Sequence, residues 1–166
     1  MIILFGLPGA GKSAVGRLLR DEHAFYFHEA DDDIPAEYRA RVARGEVVSD
    51  DLRDDYHRAL LDRLAELQAL HPRLAVAAPL LRDKHRRWIA ERFPGAVFVR
   101  VTCDPAVWEA RLAARPDHAI SLDYARRVRA LDEPPTIPYQ ILDNNSDGAD
   151  DLRRTIATRL LTGQSE

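Results

Sequence analysis

The chain has 166 residues, 46% of them hydrophobic and 31% charged, with a net charge of −3 at pH 7. That length and apolar share suit one domain with a real core, and the charge supplies no global pull toward nucleic acid or anionic membrane. Cys103 is the single cysteine, which excludes an internal disulfide or a cysteine-rich metal site and fits a reducing compartment. The opening residues lack a basic n-region and a cleavable apolar h-region. No stretch nears the ~20 apolar residues of a membrane span. A cytoplasmic protein is expected, without membrane contact.

In chain order, apolar runs at Ile2–Phe5, Phe25–His28, Leu74–Ala78, Val97–Val101 and Tyr139–Leu142 have the length of buried parallel strands. Between the second and third runs, Leu52, Tyr56, Leu60, Leu64 and Leu67 recur at steps of four or three, one face of a helix. Ser49 suits its N-cap, with Asp50 and Asp51 in the first turn. Asp104-Pro105 reads as the cap and first position of a helix ending near Arg115. Pro134-Pro135 and Pro138 punctuate the approach to the last strand, and Leu152, Ile156 and Leu160 mark the last helix. Such alternation predicts an α/β fold: a three-layer α/β/α domain over residues 1–166, with a parallel sheet of about five strands.

The first run leads into Gly6-Leu7-Pro8-Gly9-Ala10-Gly11-Lys12-Ser13, which fits G-x-x-x-x-G-K-[ST] between a strand and a helix. Gly6, Gly9 and Gly11 let backbone N–H groups turn inward around phosphate oxygens. Pro8, Ala10 and Ala14 belong to the same nucleotide-binding stretch. Lys12 would reach the β- and γ-phosphates, and the hydroxyl of Ser13 would bind Mg²⁺. The following helix points its positive end at the anion. ATP and Mg²⁺ are therefore the expected cofactors. A GTPase would carry N-K-x-D, but Asn144-Asn145-Ser146-Asp147 lacks the lysine, and no D-x-x-G follows the third run. The chain is also short for a mechanical ATPase. A small-molecule kinase remains.

The second run ends in Phe27-His28-Glu29-Ala30-Asp31-Asp32-Asp33-Ile34-Pro35. Ligands bind at strand ends beside the phosphate loop in such sheets. Phosphoryl transfer needs a carboxylate to orient or deprotonate the acceptor hydroxyl, and another can hold Mg²⁺ through water. Asp32 and Asp33 read as a solvated turn. Asp31 reads as functional on further grounds.

These motifs resemble the gluconate kinase branch of the shikimate/gluconate kinase group, over most of the chain. In those families an Asp nineteen positions after the loop lysine contacts the acceptor, and here that position is Asp31. Gly45 to Tyr56 resembles G-x-P-L-x-D-x-D-R-x-P-W, with Gly45, Asp51 and Arg53 in matching places. Val47 stands for its Pro and Tyr56 for its Trp. Arg111 to His118 resembles the lid pattern R-L-x-x-R-x-x-H, and Leu131 to Pro134 resembles the L-E-x-P beyond it. Three features depart from the family. Pro79-Leu80-Leu81-Arg82 replaces S-A-L-K, Ala119-Ile120 replaces an aromatic pair, and Ala30 replaces a Gly. Shikimate kinases carry a G-G-G loop after the third strand that is absent here. The resemblance thus implies kinase chemistry and leaves the acceptor open.

It also implies roles. Asp31 is the acceptor-orienting base. Arg53 faces the acceptor, or else is a surface arginine paired with Asp50 or Asp54. Arg115 stabilises transition-state charge, and Arg111 closes on the nucleotide or lies on a helix surface. Arg126 and Arg127 are weaker candidates for the role of Arg115. The lid covers residues about 111–132. The basic run Arg82 to Trp88 reads as a solvated helix face with Trp88 and Ile89 turned inward, and Arg86 matches a family Y-R-D element, hence a substrate contact. His118 matches the lid pattern without an assigned proton. Asp143 to Ser146 would border the adenine, and Cys103 reads as a small buried hydrophobe. The expected partner is a small-molecule acceptor and the expected state a monomer or homodimer; nucleic acid is not an expected partner. Competing readings are a nucleotide, nucleoside, antibiotic or RNA-end kinase, and a nucleotide-binding regulatory protein.

Overall fold

The computed structural model describes residues 1–114, 121–145 and 148–159. Five parallel strands, β1 (Ile2–Phe5), β2 (Tyr26–Glu29), β3 (Leu74–Ala77), β4 (Val97–Thr102) and β5 (Gln140–Asp143), lie in the order β2-β3-β1-β4-β5. Seven α-helices are described: α1 (Lys12–His23), α2 (Ala36–Ala43), α3 (Asp50–Leu70), α4 (Asp83–Arg92), α5 (Pro105–Ala113), α6 (Leu122–Arg129) and α7 (Ala149–Arg159). A short 3-10 turn, Ala30–Asp33, follows β2. Among the described residues no helix is long and apolar enough to cross a membrane.

The period-2 geometry of the strands divides the core between the two faces of the sheet. Ile3 and Phe5, with Val76 and Phe98, pack on Tyr56, Leu60 and Leu64 of α3 and Ile89 of α4. Ile2 and Leu4, with Ala75, Ala77, Val99 and Val101, pack on Val15 and Leu19 of α1 and on Leu152 and Ile156 of α7. The three-layer α/β/α expectation is borne out.

Boundaries differ by single residues where caps intervene. α1 ends at Ala24, which adopts φ 54°, and Phe25 donates its N–H to Leu19 O at 3.2 Å. Phe25 is thereby drawn into the helix-side core, and β2 starts at Tyr26. Ser49 caps α3, its Oγ accepting from Leu52 N at 3.4 Å. Pro105 opens α5 as expected, but the carboxylate of Asp104 does not cap it; Asn145 Oδ1 accepts the Asp104 N–H at 2.6 Å. Leu160 lies outside the described residues.

β1 holds the centre. The chain runs from it to β2 and β3 on one side and to β4 and β5 on the other. Its C-terminal end is therefore a switch point, where open α/β sheets bind ligands.

α1 approaches β2 so closely that a Cβ on Gly16 would overlap the ring of Phe27. Alanine at this helical position would gain up to about 1 kcal/mol of propensity. The overlap with this half-buried ring, packed on the α1 face of the core, outweighs that gain. Gly16→Ala is expected to lower stability in urea by about 1–2 kcal/mol; a midpoint equal to or above that of the native chain would contradict the packing.

Candidate active site

The loop between β1 and α1 has positive φ at Gly6, Gly9 and Gly11 (137°, 85° and 101°). A side chain at Gly6 would overlap the carbonyl oxygen of Val101, and one at Gly11 the amide of Asn144. Pro8, Gly9, Gly11, Lys12, Ser13 and Ala14 line a cleft of about 440 Å³, together with Arg17, Glu29 and Asp31. Gly6 and Ala10 are buried beneath it. Lys12 Nζ donates to the carbonyls of Gly6 at 3.0 Å and Leu7 at 3.1 Å. Burial lowers its pKa, and the nearby carboxylates of Asp31, Glu29 and Asp132 oppose that shift. Lys12 and Asp31, read from separate motifs, thus share one cleft.

Behind the loop, Trp108 Nε1 donates to Pro8 O at 2.6 Å, and Asn144 Nδ2 donates to Ala10 O at 3.0 Å. Arg111 Nη1 donates to Asn144 O at 2.8 Å, which places it at the end of β5. Arg115 and His118 lie outside the described residues, as does Ser146.

Arg53, on the first turn of α3, is not among the residues that line the cleft. It is 2% exposed, and its Nε donates to Val48 O at 3.2 Å. Its Nη2 is buried without a hydrogen-bond partner among the described residues. The surface pairing considered for it is excluded, because Asp50 pairs with Arg82 and Asp54 with Lys84 and His85. Burial pushes the Tyr38 hydroxyl up to about 12, against the opposing charge of Arg53. Tyr124 is raised by burial too, with Arg53 and Arg127 opposing. Two tyrosine hydroxyls therefore lie in the field of Arg53. Tyr56 Oη donates to Ala30 O at 2.7 Å and fixes the turn that carries Asp31. Below Arg53, His57 stacks on His85 with centroids 3.8 Å apart. His57 Nδ1 bonds Arg53 O at 2.7 Å, and His85 Nε2 bonds Asp54 Oδ1 at 2.7 Å.

The basic run at the start of α4 is not a solvated face. His85 is 1% exposed and Arg86 fully buried; Ile89 is buried as expected and Trp88 half-buried. Arg86 does not line the cleft. Its Nη1 donates to Leu80 O at 2.8 Å, its Nη2 to Glu133 O at 2.7 Å, and its Nε to Asp83 Oδ1 at 3.3 Å. The backbone acceptors sit at the end of β3 and in the segment after α6, and they turn the guanidinium inward. Asp132, in that segment, accepts from Arg100 Nη2 at 2.5 Å and lies 3.7 Å from Arg86 Nη1.

On α6, Arg126 pairs with Glu109 and Arg127 Nη2 donates to Gly45 O at 2.6 Å. Cys103 is half-buried, and burial raises its thiol pKa. The sequence assigned no role to Asp132 or Trp108, and placed Asn144 only within the stretch Asp143 to Ser146, not as a side chain bonded to the phosphate loop. A signal existed for Trp108: a buried indole needs an acceptor for its N–H.

The chain belongs to the AAA domain family, whose sequence pattern matches residues 2–132. No curated protein matches it. Among solved structures, a sugar kinase from Janibacter sp. HTCC2649 is 19% identical with a TM-score of 0.81, the match covering 99% of this chain and 98% of that one. A gluconokinase from Sinorhizobium meliloti 1021 is 24% identical with a TM-score of 0.77, covering 99% and 97%. A shikimate kinase from Acinetobacter baumannii, in complex with shikimate, is 17% identical with a TM-score of 0.64, covering 99% and 94%. The fold is that of the P-loop kinases.

Two outcomes follow for stability. Arg86→Met would leave the carbonyls of Leu80 and Glu133 without their cation and the buried Asp132 with Arg100 alone, a loss of about 3–5 kcal/mol by urea titration. A near-normal midpoint would remove that role. Burial lowers the pKa of His57 from 6.5 to about 3, so the unfolded chain takes the proton first as pH falls. Stability is then lost through the window from 6.5 toward 3, by up to about tenfold in the folding equilibrium per pH unit. His57→Gln removes this one contribution, so its midpoint in urea falls less steeply with acid than the native one; parallel curves would rule the assignment out.

Proposed function

We propose that the protein is an ATP-dependent kinase that transfers the γ-phosphoryl group to a hydroxyl of a small metabolite, a sugar or polyol acid. The observation that carries this reading is the single cleft shared by the phosphate loop and Asp31, with Lys12 in the field of the Asp31 carboxylate. The triphosphate lies in the loop, with Lys12 on the β- and γ-phosphates. Asp31 accepts the proton of the acceptor hydroxyl. That oxygen forms its bond to the γ-phosphorus as the bond to the β-phosphate bridge breaks, and ADP leaves.

Arg53 supplies the charge for an acidic acceptor. An unpartnered Nη2 on a buried guanidinium is an incomplete hydrogen-bonding site, and a carboxylate suits its fork. Arg82 is less available, being held by Asp50 and Glu133. Arg111, with Arg115 in the segment of about 111–132, would close over the nucleotide, exclude water and limit hydrolysis.

The donor set fits Mg²⁺ held mainly by the phosphates. Among the described residues no group of three His, Cys, Asp or Glu could hold a metal alone. Ser13 lines the cleft, with Glu29 and Asp31 across from it. Ser13 would ligate the ion directly, and a carboxylate through water. When bound, the ion neutralises charge on the β- and γ-oxygens.

The test is ADP release from Mg·ATP against gluconate, related aldonates, shikimate, nucleosides, nucleoside monophosphates and an aminoglycoside, with detection of the phosphorylated product. An acid sugar or polyol should stimulate turnover, and Asp31→Asn should lower kcat by about 100-fold or more. Stimulation by a nucleoside or aminoglycoside alone would replace the acceptor. Full turnover by Asp31→Asn would remove the base.

A further inference from the structure

The hydrogen bonds behind the phosphate loop carry more than support. A trans peptide is planar, with its C=O and N–H pointing in opposite directions. The carbonyl of Pro8 points back to Trp108 Nε1 at 2.6 Å, so the N–H of Gly9 in the same peptide points forward. The carbonyl of Ala10 points back to Asn144 Nδ2 at 3.0 Å, so the N–H of Gly11 points forward. Among the described residues neither glycine N–H finds an acceptor within the protein. Gly9 and Gly11 both line the cleft. The two rear donors thus face the two peptides whose amides are free to meet an anion.

Packing alone would not set these peptides. Positive φ at Gly9 and Gly11 marks a backbone with wide freedom. A cavity of about 90 Å³, lined by Leu7, Ala10 and Trp108 among others, lies behind the loop. Trp108 is 2% exposed and Asn144 6%, so both donors work away from competing water. Arg111, one turn beyond Trp108 on α5, donates to Asn144 O and joins the two donors into one brace.

We infer that Trp108 and Asn144 are positioning residues of the nucleotide site, which turn the Gly9 and Gly11 amides toward the phosphates. The inference rests on the nucleotide half of the proposed function and is independent of the acceptor. Neither side chain touches the ligand; each acts through one peptide of the loop.

The test is Mg·ADP binding by calorimetry, without acceptor, for the native chain, Trp108→Phe and Asn144→Ala. Phenylalanine keeps a ring and removes the N–H. Each variant is expected to bind about 3- to 10-fold more weakly, the effect of one lost hydrogen bond. With an active acceptor, KM for ATP should rise while KM for the acceptor stays. A specific signature separates positioning from general loosening. With ¹⁵N-glycine labelling, Mg·ADP should shift the Gly9 and Gly11 amides in the native chain. Trp108→Phe should diminish the Gly9 shift, and Asn144→Ala the Gly11 shift, while the Gly95 resonance is unmoved. Native affinity in both variants overturns the inference, and so does weaker binding with equal change at every glycine. A native chain that binds no Mg·ADP overturns the nucleotide reading and this inference together. Native binding without turnover on any acceptor strikes the proposed reaction alone.

Discussion

A guanidinium sealed from water must find an acceptor for nearly every N–H, because each one left over carries its full desolvation cost. Arg86 meets that demand by drawing three separate segments to itself: the end of β3, the start of α4 and the chain after α6. The same contacts set the place of Asp132, whose carboxylate reaches Arg100 on β4 and the field of Lys12. Glu133 adds to the join, accepting from the Asp83 N–H at 2.7 Å and from Arg82. Lys12 in the cleft is therefore linked through the charge of Asp132 to the buried cation of α4. A cation–π contact with Phe5 of β1, 5.5 Å from the ring centroid, brings the central strand into the same arrangement.

The sheet accommodates this through small residues at its centre. Ala75 and Ala77 alternate with Leu74 and Val76 on β3, and Gly16 lets α1 settle against β2. β1 ends where the chain must turn sharply back into α1, and the loop there has no room for side chains at Gly6 or Gly11. Strand order then brings the end of β2, with its acidic turn, around to the same edge of the sheet. Two sequence-distant motifs meet because β3 alone separates their strands.

The features legible in the sequence were those written contiguously. The strand runs, the phosphate loop, the Ser49 cap and the α3 stripe each depend on local spacing, and each lies within a residue or so of its expected place. Asp31 was legible through a fixed distance from Lys12. The basic run was not, because what buries Arg86 is a set of backbone carbonyls that arrive from 47 positions away and from the preceding loop. Charge pattern says nothing about such acceptors. The loop contacts of Trp108 and Asn144 escaped for a related reason: their partners are carbonyls 100 and 134 positions distant. Arg53 was half legible. The sequence left it open between facing the acceptor and pairing at the surface, and only the structure shows a buried guanidinium.

Lys12 gives the phosphate loop a further property. Its ammonium rests on the carbonyls of Gly6 and Leu7, which hold its four-carbon stem in place within the fold. Immobilising a free lysine side chain costs roughly 1.5–2 kcal/mol. Here that loss occurs when the chain folds, and in the proposed reaction it would not recur with each anion bound. In the proposed reaction a phosphate would meet a cation that exchanges neutral acceptors for charged ones. The loop thus keeps its own lysine in place through its own backbone carbonyls.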